Sequence, residues 1–127
     1  MNIEQAIQSI GILKLVKASK EAMDYENRQE AARHEARIKQ YCLSYGVNRD
    51  AAEAELGKEG HKISMKRGLD IALAEISPRK LVKLPRGGGW DYAPGPEHIK
   101  VLQDALERDW PALQAALNAA YKAAKGA

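Results

Sequence analysis

Few side chains in this sequence have the type and spacing needed for catalysis or metal binding. The three histidines are isolated from one another: His34, His61 and His98. The His-Glu pair that begins at His34 is not followed one turn later by a second histidine, so the helical zinc motif is absent. Cys42 has no evident activating charge and is interpreted as a small core residue, and Glu35 is expected to pair with Lys39 one turn away. We therefore expect no catalytic residue, metal site or cofactor, and hence no enzyme.

Positive charge is concentrated between residues 58 and 86, where eight Lys and Arg residues stand against three acids. Such a cluster can neutralise the phosphates of a nucleic acid. The basic residues of this candidate nucleic-acid site are Lys62, Lys66, Arg67, Arg79, Lys80, Lys83 and Arg86. An ordinary solvated helix face explains the same composition, so both interpretations stand.

The run at 85–96 is rich in Gly and Pro and is predicted to be a loop. It contains Arg86, Trp90 and Tyr92, which could stack on a base or anchor a partner protein. The two aromatic rings could instead fold inward and fill a gap in the core. The run lacks the Lys-Ser or Lys-Thr pair of a phosphate-binding loop.

Within this run, residues 89–95 read Gly-Trp-Asp-Tyr-Ala-Pro-Gly. This stretch resembles the Gly-Trp-Asp-Tyr-Asn-Pro-Gly stretch of the minor head (head-morphogenesis) proteins of tailed phages. Ala93 stands where those proteins carry Asn, and the rest of the chain does not match. The resemblance implies an origin in a phage or related mobile element and transfers no catalytic residue.

A helix-turn-helix is a further interpretation of the segment in which one helix ends near Tyr45, a turn spans 46–48 and a second helix spans 49–56. A recognition helix should present hydrogen-bond donors to base edges. This one is mostly Ala and Glu, and only Asn48 and Arg49 suit that role. The pattern therefore favours a plain turn between two helices.

Hydrophobic periodicity predicts helices along most of the chain. The first begins near Asn2, and Gly11 is expected to weaken it without ending it. A second segment spans 25–45 and ends at Gly46 in the manner of a left-handed cap. Nothing between the two segments breaks a helix strongly, so they form either one rod or two helices separated near Asp24.

The remaining helices are separated by Gly and Pro residues. We predict helices over 48–56, from 61 or 64 to 76, over 97–108 and over 110–125, with a short helical turn through 84. No segment has the alternation of a convincing β-strand. The sequence thus predicts an all-α small helical bundle in one domain, with N-terminal helices (1–84), a loop (85–96) and a C-terminal helical hairpin (97–125).

Composition limits the core that this bundle can build. The chain has 127 residues and a net charge of +3, it contains no Phe, and Ala is its most frequent residue. We expect a thin core that is stabilised by a partner or by self-association. One cysteine permits no internal disulfide, and the partly apolar N-terminal stretch resembles neither a signal peptide nor a membrane span. These features favour the cytoplasm of a bacterial host, or a virion.

The expected function is therefore binding to a macromolecule without catalysis. The first hypothesis is a phage or mobile-element protein that acts through protein contacts, as an adaptor, a structural component or an inhibitor of a host complex. It would use the long N-terminal helices or the segment around Trp90. The alternative is a nucleic-acid-binding protein that uses the basic segment 58–86. A homo-oligomer is also expected, and no membrane association.

Overall fold

The computed structural model describes residues 1–77, 80–93 and 95–126 and consists mainly of α-helices. The helices are α1 (Ile3–Ile10), α2 (Ile12–Tyr45), α3 (Arg49–Leu56), α4 (Met65–Ile76), α5 (Glu97–Arg108) and α6 (Trp110–Gly126). Two short strands, β1 (Leu81–Lys83) and β2 (Trp90–Tyr92), form an antiparallel ribbon between α4 and α5. The all-α prediction, a small helical bundle with a long N-terminal helix pair and a C-terminal helical hairpin, is confirmed.

The break in the N-terminal helical segment falls at Gly11. This residue has φ of 98°, which ends α1, and α2 starts at the next residue. The expectation that Gly11 would not end the first helix is corrected. Of the two alternatives left open near Asp24, the structure shows the continuous helix, because α2 runs unbroken past this residue. A positive φ costs glycine little, so one residue redirects the chain and lets Ala6 and Ile7 of α1 enter the core.

The main core lies at the N-terminal end of α2, where α1, α4, α5 and α6 surround it. Its buried members are Ala6, Ile7, Leu15, Leu69, Leu73, Ile99, Leu102, Ala105, Leu106 and Leu113. Only Leu15 among these belongs to α2, although α2 is 34 residues long, or about 51 Å at 1.5 Å per residue. The distal half of α2 therefore extends from the core as an arm, with α3 folded back against it.

The ribbon corrects the expectation that no strand would form. Leu81 pairs with Tyr92 and Lys83 with Trp90, so β1 replaces part of the predicted helical turn through 84, and β2 lies inside the predicted loop. Pro78, Arg79, Pro94 and Ala127 lie outside the described residues. Each strand has three residues, which is too short to show the alternation by which a strand is recognised in sequence.

Helices α4 and α2 approach each other closely where they cross at Gly68, which has no side chain. A Cβ atom added at Gly68 would lie 2.3 Å from Met23 Cγ and 2.9 Å from the backbone oxygen of Ser19. Gly68 is buried. The side chain of Met23 can move, but the backbone of α2 cannot move without disturbing the core, so only glycine fits this crossing.

We expect Gly68→Ala to destabilise the protein by about 1 to 2 kcal/mol, because overpacking outweighs the better helix propensity of alanine. Thermal or urea unfolding followed by circular dichroism measures the difference. Gly126→Ala is the matched control, because a Cβ there meets no atom within 4 Å. Equal stabilities for the two variants would contradict a close crossing at Gly68.

Candidate functional site

The structure brings together no cluster of catalytic or metal-binding side chains among the residues that it describes. Over those residues, no group of three His, Cys, Asp or Glu could hold a metal ion. His34 is buried, and its Nε2 lies 3.0 Å from the carbonyl oxygen of Gly57, so the ring ties α2 to the end of α3. Cys42 is half-buried on α2. His34 thus has a structural role, whereas Cys42 is not the fully buried core residue that the sequence predicted.

Arg49, one of the two base-contacting candidates in the helix-turn-helix interpretation, is held by carboxylates of its own chain. Its Nη1 and Nη2 donate to the two oxygens of Glu35 at 2.6 and 2.7 Å, and its Nε donates to Glu53 at 2.7 Å. Asn48 accepts a hydrogen bond from the backbone N–H of Ala51 and caps α3. The two helices and the turn between them exist, but the guanidinium of Arg49 is held by carboxylates of its own chain and the side-chain oxygen of Asn48 serves as a helix cap.

The same contacts correct the expected partner of Glu35, which pairs with Arg49 and not with Lys39. Hydrogen bonds from Arg49 lower the pKa of Glu35 below its ordinary value of 4.5. The hydrogen bonds that Arg49 donates to Glu35 and Glu53 in turn raise the pKa of Arg49. This ion cluster fixes α3 on α2.

We expect Glu35→Gln to lower the melting temperature at about pH 7, with the difference fading as the pH falls below 4.5. The folded-state pKa of Glu35 is depressed, so its stabilising contribution is present above the unfolded-state pKa. That contribution is lost as the pH falls through the folded-state pKa. Melting curves across this pH range test the prediction, with Lys39→Gln as the control. An equal loss in the Lys39 variant would contradict the assignment of Arg49 as the partner.

The basic residues predicted between 58 and 86 fall into two groups in the described structure. In the first group, Lys62 lies 3.8 Å from Glu59, and Arg67 lies 2.7 Å from Asp70. Lys66 is also in this group, near the start of α4 and about 15 Å along the helix axis from its end at Ile76. Lys80, Lys83 and Arg86 form the second group on the ribbon, and Arg79 lies outside the described residues.

The ribbon carries Trp90 and Tyr92, the two aromatic residues of the predicted partner-binding site. Directly opposed residues of an antiparallel pair share a face, as do alternate residues of one strand. Leu81, Lys83, Trp90 and Tyr92 therefore lie on one face, with Val82 and Asp91 on the other. Trp90 is 63% exposed and Tyr92 57%. The two rings are therefore exposed to solvent and do not fill a gap in the core.

A cavity of about 390 Å³ lies beside the ribbon, between it and helices α4 and α5. Tyr92 forms one wall, and α5 contributes Ile99, Lys100 and Gln103. The ribbon face thus continues into a recess with an aromatic ring, a cation and an amide. Sequence reasoning missed Lys100 and Gln103, because only the fold brings α5 next to β2.

A second and larger recess, which the sequence did not predict, lies between α2, α4 and α6; we call it the α2–α4–α6 groove. Its volume is about 480 Å³. Its apolar lining consists of Leu15, Val16, Met23, Met65, Leu69, Trp110, Leu117 and Tyr121. The hydrophobic stripes of three helices could have suggested such a groove, but only their packing shows that the stripes are incompletely covered.

Two lysines lie at this groove. Lys20 is the one charged residue that lines it among the described residues. Lys125 places its Nζ 5.6 Å from the centre of the Tyr121 ring, at the end of the α6 wall. The groove is therefore apolar within, with two lysines at its margin.

No family model, curated protein or solved structure matches this chain. In the described part of the chain, no helix is both long and apolar enough to cross a membrane. The phage resemblance of residues 89–95 stays a prediction, and its first residues form the end of the ribbon turn and β2.

Proposed function

We propose that this protein acts by binding and not by catalysis, and that its α2–α4–α6 groove takes up an amphipathic helix of a partner protein. The observation that supports this most directly is the apolar groove itself. Monomeric proteins rarely leave large contiguous apolar surface open unless it binds something. Met65 is 66% exposed and Tyr121 38%, although both line a recess that a partner would close.

The dimensions of the groove suit a short helix. Along α6 the lining extends from Trp110 to Tyr121, which corresponds to about 16 Å or three helical turns. Two of the lining residues, Met23 and Met65, have flexible thioether side chains that adapt to the shape of a ligand. Docking of the apolar face of a helix into such a groove is a recurring mode of peptide recognition.

The lysines at the groove restrict the kind of partner helix that it favours. With Lys20 in the lining and Lys125 beside Tyr121, the groove favours a helix that carries Asp or Glu beside its apolar face. Such complementarity accelerates association and disfavours basic competitors. Burial of the groove by a partner would also add to the stability of a protein with a small core.

The biological setting that we propose is the one suggested by residues 89–95. A phage or mobile-element protein of this kind would act as an adaptor, a structural component or an inhibitor of a host complex, in the host cytoplasm or in a virion. Each of these roles requires a docking surface, and none requires a catalytic group. The groove supplies such a surface.

Two synthetic peptides of about 15 residues test the groove. Both carry the same Leu and Trp face, and their other positions are Glu in one peptide and Lys in the other. We expect calorimetry to show binding of the acidic peptide and at least tenfold weaker binding of the basic one. Met65→Glu should lower the affinity for the acidic peptide at least tenfold, because it places a negative charge in an apolar wall of the groove.

Leu43→Glu is the matched control, because Leu43 is 80% exposed on α2 and does not line the groove. It should leave peptide affinity unchanged. Equal binding of both peptides, or of neither, would contradict the proposal. So would a wild-type dimer that becomes monomeric on Met65→Glu in analytical ultracentrifugation, because the groove would then be an interface between two copies of the chain.

A further inference from the structure

The ribbon combines aromatic rings and cations, which the sequence alone assigned to two competing hypotheses. Trp90 and Tyr92 share its face with Lys83, which lies directly opposite Trp90. Lys80 precedes β1 and Arg86 lies in the turn, and all three cations are exposed. Within the described part of the chain, none of the three forms an ion pair with a carboxylate, whereas Lys62, Arg67 and Arg49 each do.

We propose that the β1–β2 ribbon is a binding site for single-stranded nucleic acid. In this site Trp90 stacks on an unpaired base, and Lys80, Lys83 and Arg86 contact the phosphates on either side. This site lies on a different surface from the α2–α4–α6 groove, so it does not rest on the function proposed for that groove.

The exposed rings favour a single strand over a duplex. Proteins that bind single strands combine a basic surface with aromatic side chains on which successive bases stack. Bases inside a duplex already stack on each other and offer no free face to Trp90. Trp90 and Tyr92 are two residues apart on β2, or about 7 Å along the strand, so the two rings could contact neighbouring bases.

The distribution of charge on the ribbon supports the same ligand. Asp91 is the acid of β2, and the alternation of the strand places it on the face opposite Trp90. Its Oδ1 accepts a hydrogen bond from the backbone N–H of Tyr92 at 2.7 Å. The aromatic face of the two strands thus carries Lys83 and no carboxylate.

The cavity beside Tyr92 extends the site towards α5. Its volume of about 390 Å³ falls in the range of small-ligand pockets. Lys100 can reach a phosphate there, and the amide of Gln103 can donate to and accept from the edge of a base. A strand that crosses the ribbon therefore has a second place to seat a nucleotide.

Arg86 has an unusual backbone conformation, with φ of 59°. This left-handed region is strained for a residue with a side chain and is favourable for glycine. A glycine there would suit the turn better, so the presence of arginine points to a use for its charge. Arg86→Gly separates the two effects, because it should raise stability and weaken nucleic-acid binding.

Fluorescence anisotropy with a labelled 12-nucleotide oligo-dT tests the proposal. We expect Trp90→Ala to weaken binding about 5- to 150-fold. The double variant Lys80→Gln/Lys83→Gln should reduce the slope of log affinity against log salt by about 1.4, or about 0.7 for each lost phosphate contact. Arg86→Gly should weaken binding while raising the melting temperature.

The charge-matched control is Lys62→Gln/Lys66→Gln, which removes the same net charge away from the ribbon. It should leave the salt slope unchanged, and Met65→Glu in the groove should leave oligonucleotide affinity unchanged. The proposal is overturned by the absence of binding at about 100 μM protein in low salt. It is also overturned if the control pair has the larger effect, if duplex DNA binds as tightly, or if Trp90→Ala weakens only the acidic peptide.

Discussion

The crossing of α4 over α2 at Gly68 is the contact on which the rest of the arrangement depends. Because no side chain intervenes, α4 lies directly against Ser19 and Met23 of α2. This position brings Leu69 and Leu73 into the main core. It also leaves Met65, one turn before the crossing, at the wall of the α2–α4–α6 groove. A larger residue at Gly68 would therefore disturb the core and the groove together.

The long helix α2 serves the main core at one end and extends from it at the other. Its distal half packs against α3 and the segment that follows α3, partly through directional contacts. The hydrogen bonds of Arg49 to Glu35 and of His34 to Gly57 provide these contacts. These polar contacts add to the apolar packing of this half, where Ile38 of α2 and Ala52 of α3 are buried.

Helix α4 connects the two proposed binding surfaces. Met65 at its start lines the α2–α4–α6 groove, and the residues after Ile76 lead to the ribbon. The surfaces suit different ligands, because three packed helices form a preorganised apolar groove while a short ribbon presents ring faces and cations to solvent. An adaptor that holds a partner protein near a nucleic-acid strand is the role that both proposals together define.

The sequence by itself determined the features that depend on neighbouring residues: the helical periods, the start of a helix near Asn48, the end of α2 at Gly46 and the lack of a zinc motif. It could not show that Gly11 redirects the chain, because a glycine within a helix and a glycine at its end look alike until the packing of α1 is known. The two strands have three residues each, which is too short for the alternation of a strand to be recognised in the sequence. The pairing of Glu35 with Arg49, the groove and the recess at Lys100 join residues distant in sequence, so only tertiary packing decided them.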